Sequence, residues 1–395
     1  MTRDDIIKAA FKVWGRELYR TTSLNEIAQE LGVSKTALYR HFKDKDSILE
    51  AMYPAYFDDC AAFIKNGCDK AANLSSKREA HLIIMRTIAE YFIRNSEAFI
   101  FSLARVFDNR DRKTISEEFR KRGIDFEQMI TKTGENTSYP SKMQLILATL
   151  FFCIAYFHHK NYESGAIPTE ETIKAALAQI EDRIGKGLRL DAAKIAALDY
   201  ESLEKMAAGT VYEDTEHNAL LKAVAEAVAE AGPWNASMEM VARRSGLSKS
   251  GLYAHFKNKQ DMLDKLFVTE FNRIANFARA QIETYDTVED QLYLAIISIV
   301  YYLRSRPEIL VAIDWIKTRQ LKLGKGVSDE IFRIVGDLKL EAIRDQDLYV
   351  LGEIAHWILF MIVNTLAWRP LKGIPNESFR FLFQYVSLGL EGLNS

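Results

Sequence analysis

The chain has 395 residues, 48% of them hydrophobic and 27% charged, with a formal net charge of −2. That length suits about two to three domains, and the near-neutral balance excludes a polycation, so attraction to nucleic acid must come from local patches. Three cysteines, Cys60, Cys68 and Cys153, form no disulfide framework and fit a reducing compartment.

Early acids and an amphipathic pattern in the first residues exclude a secretory signal. Ile6, Ala10, Val13 and Trp14 recur at helical spacing and predict a first helix. Ser23 followed by Glu26 is a capping box that opens a short second helix, which Gly32 ends. Ser34 caps a third helix from Lys35 to about Phe42, and Asp44 caps a fourth that begins at Lys45. Amphipathic helices are then predicted over 46–66, 78–94, 96–108, 112–132, 142–160 and 169–187. Asp191 to Ala208, rich in Ala, Leu and Glu, reads as a helical connector.

The pattern then starts again. Residues 32–45, GVSKTALYRHFKDK, return at 246–259 as GLSKSGLYAHFKNK, with nine of fourteen positions identical at an offset of 214. Both caps are kept, as Ser248 and Asn258. Further helices are predicted over 260–282, 288–304, 307–321, 327–343, 346–367 and 376–391. The endings Ile184-Gly185-Lys186-Gly187-Leu188 and Leu388-Gly389-Leu390-Glu391-Gly392-Leu393 are alike and suggest a full-length duplication. Without sustained strand alternation, the expected fold is all-α in two tandem units, each a three-helix helix-turn-helix head followed by a helical effector and dimerisation domain. The expected divisions are 1–46 (head one), 47–190 (effector one), 191–212 (linker), 213–260 (head two) and 261–395 (effector two). The longest apolar runs, Leu145 to Phe157 and Ile354 to Leu366, fall short of the roughly 18 to 20 residues of a membrane span and read as buried core. The expected location is cytoplasmic, with no membrane partner.

The third helix places Lys35, Thr36, Tyr39 and Arg40 on one side and Leu38 and His41 on the other. A cation, a hydroxyl and a phenol on one face are groups that bind phosphate oxygens and base edges in a major groove. The second copy offers Lys249, Ser250 and Tyr253, with Gly251 for Ala37 and Ala254 for Arg40, so the heads need not read the same bases. Residues 29–45 carry four cations and two acids, whereas 243–259 carry five cations and no acid, the surplus coming from Arg243 and Arg244 in place of Gln29 and Glu30. Phosphate attraction is expected to move to that second helix. Copy two also has Ala236 for Thr22 and Met240 for the capping Glu26.

Thr22-Ser23-x-x-x-Ile27-Ala28 with Gly32-Val33-Ser34-Lys35-x-x-Leu38-Tyr39-x-His41-Phe42-x-x-Lys45, and their second copies, resemble the TetR family of transcription regulators. The resemblance covers about 45 residues in each half. It implies a third helix that enters the major groove, an effector domain with a small-molecule pocket, and dimerisation through the last two helices. By position it implies phosphate contacts from Tyr39, His41 and Lys45, with Lys35, Thr36, Ala37 and Arg40 near bases, and Thr22 and Ser34 at the same surface. The corresponding set in copy two is Tyr253, His255 and Lys259, then Lys249, Ser250, Gly251 and Ala254, with Ser248, Arg243 and Arg244 beside them.

For an effector pocket the candidates are Phe101, Phe107, Trp315, Glu353, His356 and Trp357, since a pocket between helices combines aromatic walls with a few orienting polar groups. Aromatics at helical spacing are more often core than pocket wall, and structural use is the commoner reading of the Glu353 and His356 pair as well. Glu353 and His356 at i, i+3 lack the partner motif of a carboxylate-bundle metal site. No phosphate loop, nucleophile elbow, zinc-protease motif or dinucleotide fingerprint occurs, so no catalytic residue, metal or cofactor is expected. The sequence therefore reads as a ligand-responsive, DNA-binding repressor rather than an enzyme. Its partners are double-stranded operator DNA and a small-molecule effector, and its heads pair within the chain on two unlike half-sites or across a four-headed homodimer. The alternative is a helical ligand- or partner-binding module whose heads no longer bind DNA.

Overall fold

A computed structural model describes residues 1–16, 23–74, 76–106, 112–125, 140–164, 167–209, 217–233, 235–319, 351–367 and 374–393. They are helical, with no strand among the described residues. Two compact units emerge, unit 1 of residues 1–136 and 153–181 and unit 2 of residues 137–152 and 182–395.

In unit 1 the head comprises α1 (Arg3–Arg16), α2 (Leu24–Glu30) and α3 (Lys35–Tyr39). Ile6, Ala10, Val13, Trp14, Leu24, Ile27, Leu38 and Phe42 close one small core. Glu26 accepts a 2.7 Å hydrogen bond from the Ser23 backbone N–H, the carboxylate half of the expected box. Gly32 turns at φ +65°, the left-handed region where glycine carries no Cβ penalty. Asp44 caps α4 (Lys45–Ala72) by accepting from Ser47 N at 2.8 Å, a bond that lowers the Asp44 pKa.

The effector part of unit 1 adds α5 (Lys77–Arg94), α6 (Ser96–Phe101), α7 (Arg112–Arg120), the later part of α8 (Lys142–Ser164) and most of α9 (Glu170–Lys186). The helix predicted over 96–108 is broken: a π-helical turn, Ser102–Val106, follows α6. Buried Ser102 donates its hydroxyl to Phe99 O at 2.7 Å, a local bond that competes with the regular ladder. Burial pushes the Cys68 thiol up to about 11 and Cys60 further, so these are inert core thiols.

His158 in unit 1 donates from Nε2 to Phe92 O at 2.8 Å and packs on Phe99 and Phe157. Burial lowers its pKa, against the opposing pull of the Phe92 bond and the Glu97 charge. The folded protein therefore holds it neutral, while the unfolded chain takes up the proton near pH 6.5. Stability is full above that pH and falls as the pH drops through it toward the lowered folded value, by at most about 1.4 kcal/mol per pH unit for one proton. Urea denaturation between pH 7.5 and 5 checks this: His158→Gln is expected to flatten the slope, and an unchanged slope would refute the assignment.

Unit 2 holds the first part of α8, the end of α9, then α10 (Ala192–Ala196) and α11 (Tyr200–Gly209) in the region read as a connector. Its head is α12 (His217–Ala231), α13 (Met238–Ser245) and α14 (Lys249–His255), followed by α15 (Lys259–Ile282), α16 (Val288–Ser305), α17 (Pro307–Arg319), α18 (Leu351–Ala367) and α19 (Glu377–Gly392). The helix predicted over 327–343 lies outside the described residues.

Glu204 docks α11 by accepting from Tyr293 Oη at 2.6 Å, Arg380 Nε at 2.7 Å and Asn376 Nδ2 at 3.0 Å. Burial opposes its ionisation, but these donors outweigh burial and leave its pKa lowered. Elsewhere in unit 2, Trp357 Nε1 and Tyr385 Oη both donate to the buried Thr149 hydroxyl at 3.1 Å. The endings read as duplicates meet here, where Leu188 N donates to Val386 O at 2.8 Å and Leu190 N to Ser387 O at 3.1 Å. Gly187 (φ +57°) and Gly389 (φ +61°) permit this approach: a Cβ on Gly389 would stand 2.4 Å from Gly185 C and Lys186 N. Among the described residues no helix is long and apolar enough to cross a membrane.

Candidate nucleic-acid interface

Each recognition helix is anchored by one leucine and the phenylalanine after it: Leu38 and Phe42 in the first head, Leu252 and Phe256 in the second, all buried. Helical geometry then turns the opposite face outward. Ser34, Lys35, Thr36, Tyr39 and Arg40 are exposed on the first head, Ala37, His41 and Lys45 half-buried. On the second, Ser248, Lys249, Ser250, Tyr253, Ala254 and His255 are exposed, Gly251 and Lys259 half-buried. Tyr39 and Tyr253 are 49% and 47% exposed, far more than a core aromatic, and Lys35 sits 5.9 Å from the Tyr39 ring centre. Thr22 lies outside the described residues.

Lys45 and Lys259, at matched positions, both have pKa values lowered chiefly by burial. Lys45 lies 5.9 Å from the Trp14 ring centre, which fixes its stem against the head core. Ser248 caps α14 by accepting from Gly251 N at 3.0 Å, and a Cβ at Gly251 would come within 3.2 Å of that hydroxyl.

The C-terminal end of each recognition helix is held by a cation from a different element. In the first head Arg3 donates to His41 O at 2.9 Å and lies over the Phe42 ring at 4.2 Å. In the second, Lys265 of α15 donates to His255 O at 2.9 Å and lies over Phe256 at 5.6 Å. Both satisfy an orphan carbonyl with a positive charge at the negative end of the helix. Neither was flagged by the repeat, because the two cations do not occupy equivalent positions.

A second exchange follows the 214-residue offset. Lys12 of α1 pairs with Glu30 of α2, whereas at the equivalent positions Glu226 pairs with Arg244 at 3.7 Å, so the bridge is kept with its polarity reversed. Arg244 also pairs with Glu230, which stands where the first head has Arg16. The basic second helix is thus matched by acids on the helix before it. Over whole heads the difference vanishes: residues 3–45 carry nine cations and six acids and residues 217–259 carry six and three, net +3 in both. Arg243 and Arg244 are both exposed, and Arg244 is engaged by the two glutamates.

The effector candidates fall in different places. Phe101 is buried in unit 1 among Phe11, Tyr53 and Tyr56, at 5.1 to 5.5 Å between ring centres. In unit 2 Trp357 is fully buried, and Glu353 forms a 2.6 Å ion pair with buried Arg183, whose guanidinium lies 5.2 Å from the Trp357 ring centre. His356 is half-buried on α18. Phe107 and the side chain of Trp315 lie outside the described residues. No group of three metal-ligating side chains occurs among the described residues.

Comparison with known proteins adds a family to this geometry. The family described as "Bacterial regulatory proteins, tetR family" matches residues 6–52 and 220–266. The uncharacterised HTH-type transcriptional regulator YuxN of Bacillus subtilis (strain 168) is 38% identical over 61 residues, 15% of this chain and 21% of that protein. Its counterpart YerO from the same organism is 38% identical over 47 residues, 12% of this chain and 16% of that protein. The chain thus spans about a fifth of the length of the curated relatives it matches. Among solved structures, the transcriptional regulator FadR from Bacillus subtilis in complex with stearoyl-CoA aligns at 17% identity with a TM-score of 0.36, over 44% of this chain and 100% of that one. The fatty acid degradation regulator FadR from Bacillus halodurans aligns at 17% identity and 0.33, over 46% and 98%. Two matches at one offset, each over a head with a buried anchor and an outward reading face, show that this chain carries two head segments similar to the tetR family of bacterial regulatory proteins, in tandem.

Proposed function

We propose that the protein is a ligand-responsive transcriptional repressor whose two heads form a pair within one chain and read two unlike half-sites of operator DNA. The observation that carries DNA binding is the pair of exposed Lys-Tyr faces, Lys35 with Tyr39 and Lys249 with Tyr253, on buried cores of one design. Intrachain pairing is supported by the composition of unit 2. Thr149 and Leu188 from the first repeat share its core with Trp357, Tyr385 and Val386 from the second. The family resemblance assigns these last helices to dimerisation, and fusion makes such pairing independent of protein concentration. Half-sites read by paired heads lie about 34 to 36 Å apart.

The effector is a small molecule of unassigned structure. Phe101, which touches Phe11 of α1 and two tyrosines of α4, is the side chain through which a ligand in the first effector domain would act on the first head. Binding releases DNA to the extent that the ligand prefers an arrangement of heads that no longer fits successive grooves. Sedimentation of the purified chain without DNA is expected to give one particle of 45.2 kDa. A particle of twice that mass would replace the intrachain pair by a four-headed homodimer.

A further inference from the structure

The second head contains a contact for which the first has no equivalent. Glu239, in the first turn of α13, forms an ion pair with Lys249, the first residue of the recognition helix α14. Both side chains are more than half exposed, so the pair lies on the surface that carries Tyr253 and Ser250. At the matching position the first head has Asn25, which bears no charge, and its lysine, Lys35, stacks near Tyr39 instead. The change is not part of the reversed Lys12–Glu30 bridge, which lies between other residues and leaves the reading face untouched.

We infer that Glu239 is a specificity-determining residue of the second head, which competes with DNA for the Lys249 ammonium. Resting on the DNA-binding reading above, the inference follows from charge. A lysine that neutralises a phosphate releases condensed counterions, and this release supplies the sequence-independent part of affinity. A carboxylate already bound to that lysine must give it up first, and is then left near the polyanion. Indiscriminate binding is reduced most, because it rests on phosphate contacts alone. A site that also satisfies Ser250 and Tyr253 through base and backbone contacts is favoured relative to the rest. The first head, with Asn25, lacks this filter. Loss of Arg40 as Ala254 weakens the second head's cationic face further, so its hold on DNA depends more on a good sequence.

The test is a double-mutant cycle on the full-length chain: wild type, Glu239→Asn, Lys249→Ala and the double variant, titrated by fluorescence anisotropy onto a long duplex of mixed sequence at several salt concentrations. An exposed ion pair is worth up to about 1 kcal/mol, so Glu239→Asn is expected to tighten this binding about two- to fivefold at low salt. The slope of log affinity against log salt should steepen by about 0.9, one further phosphate neutralised. In the Lys249→Ala background the gain should vanish. Equal affinities and slopes for wild type and Glu239→Asn would overturn the inference, as would a gain that persists without Lys249. Wild-type protein that binds no DNA at any salt would refute the regulator reading itself, a failure distinguishable from the other two. Loss of one exposed pair should lower the melting temperature of the three variants by at most about 4 °C, which separates a changed affinity from unfolding.

Discussion

Replacing Lys35 and Tyr39 together by alanine is expected to lower affinity for operator DNA by about ten- to a hundredfold for each specific contact removed, and replacing Lys249 and Tyr253 to do the same from the other head. The side chains are exposed and the helices are held by Leu38, Phe42, Leu252 and Phe256, so neither pair of changes should alter the melting temperature. Unlike faces lead to a sharper expectation. After selection of bound duplexes from a random pool, the first double variant should lose sequence preference in one half-site and the second in the other. A symmetric consensus for wild type would remove the case for unlike half-sites. Wild-type affinity retained by both variants would leave a ligand- or partner-binding module whose heads no longer read DNA.

Gly389→Ala is expected to be a strongly damaging conservative change in unit 2. The substituted residue would keep φ +61° and ψ −159°, a conformation essentially confined to glycine that costs roughly 1 to 3 kcal/mol in other residues, and would also press its Cβ against the Gly185 and Lys186 backbone at 2.4 Å. Relief requires the crossing segments to separate, which breaks the bonds from Leu188 N to Val386 O and from Leu190 N to Ser387 O. The expected loss is about 3 kcal/mol or more. Gly32→Ala supplies the control, since Gly32 has the same left-handed φ but nothing within 4 Å of an added Cβ. It should lose only the backbone term. Urea denaturation checks the pair: equal losses would show that the close approach at Gly389 contributes nothing.

The heads were legible because their information is local. Caps, the turn glycine and the 14-residue repeat fix each helix within a few residues, and α4 begins at Lys45 as Asp44 predicts. The break after Phe101 was not legible, because it depends on which way the Ser102 hydroxyl bonds. Charge was legible only over the right span. Counting residues 29–45 against 243–259 makes the second head the more basic, whereas its balancing acids lie earlier, Glu226 and Glu230 on α12 and Glu239 on α13, and a comparison of both whole heads at the 214 offset carries that signal. Glu239 against Asn25 was equally visible but meant nothing until Lys249 was placed beside it. Long-range polar contacts such as Thr149 with Trp357 have no sequence signature, since the partners lie 208 residues apart. The glycine-containing endings read in the sequence as signs of duplication, and in the fold they touch.

The Thr149 hydroxyl, shared by Trp357 and Tyr385, bears on how this gene could change. A sequence repeat normally marks a piece that can be lost, duplicated again or exchanged with a neighbour. Here the later copy's indole and phenol hydrogen bonds end on an atom encoded in the earlier copy, so deletion of the first coding half would strand two buried donors in the second. Recombination that separates the halves is therefore penalised at the level of folding, before any loss of regulation. The two copies repeat one another in sequence, yet in folding they make a single part.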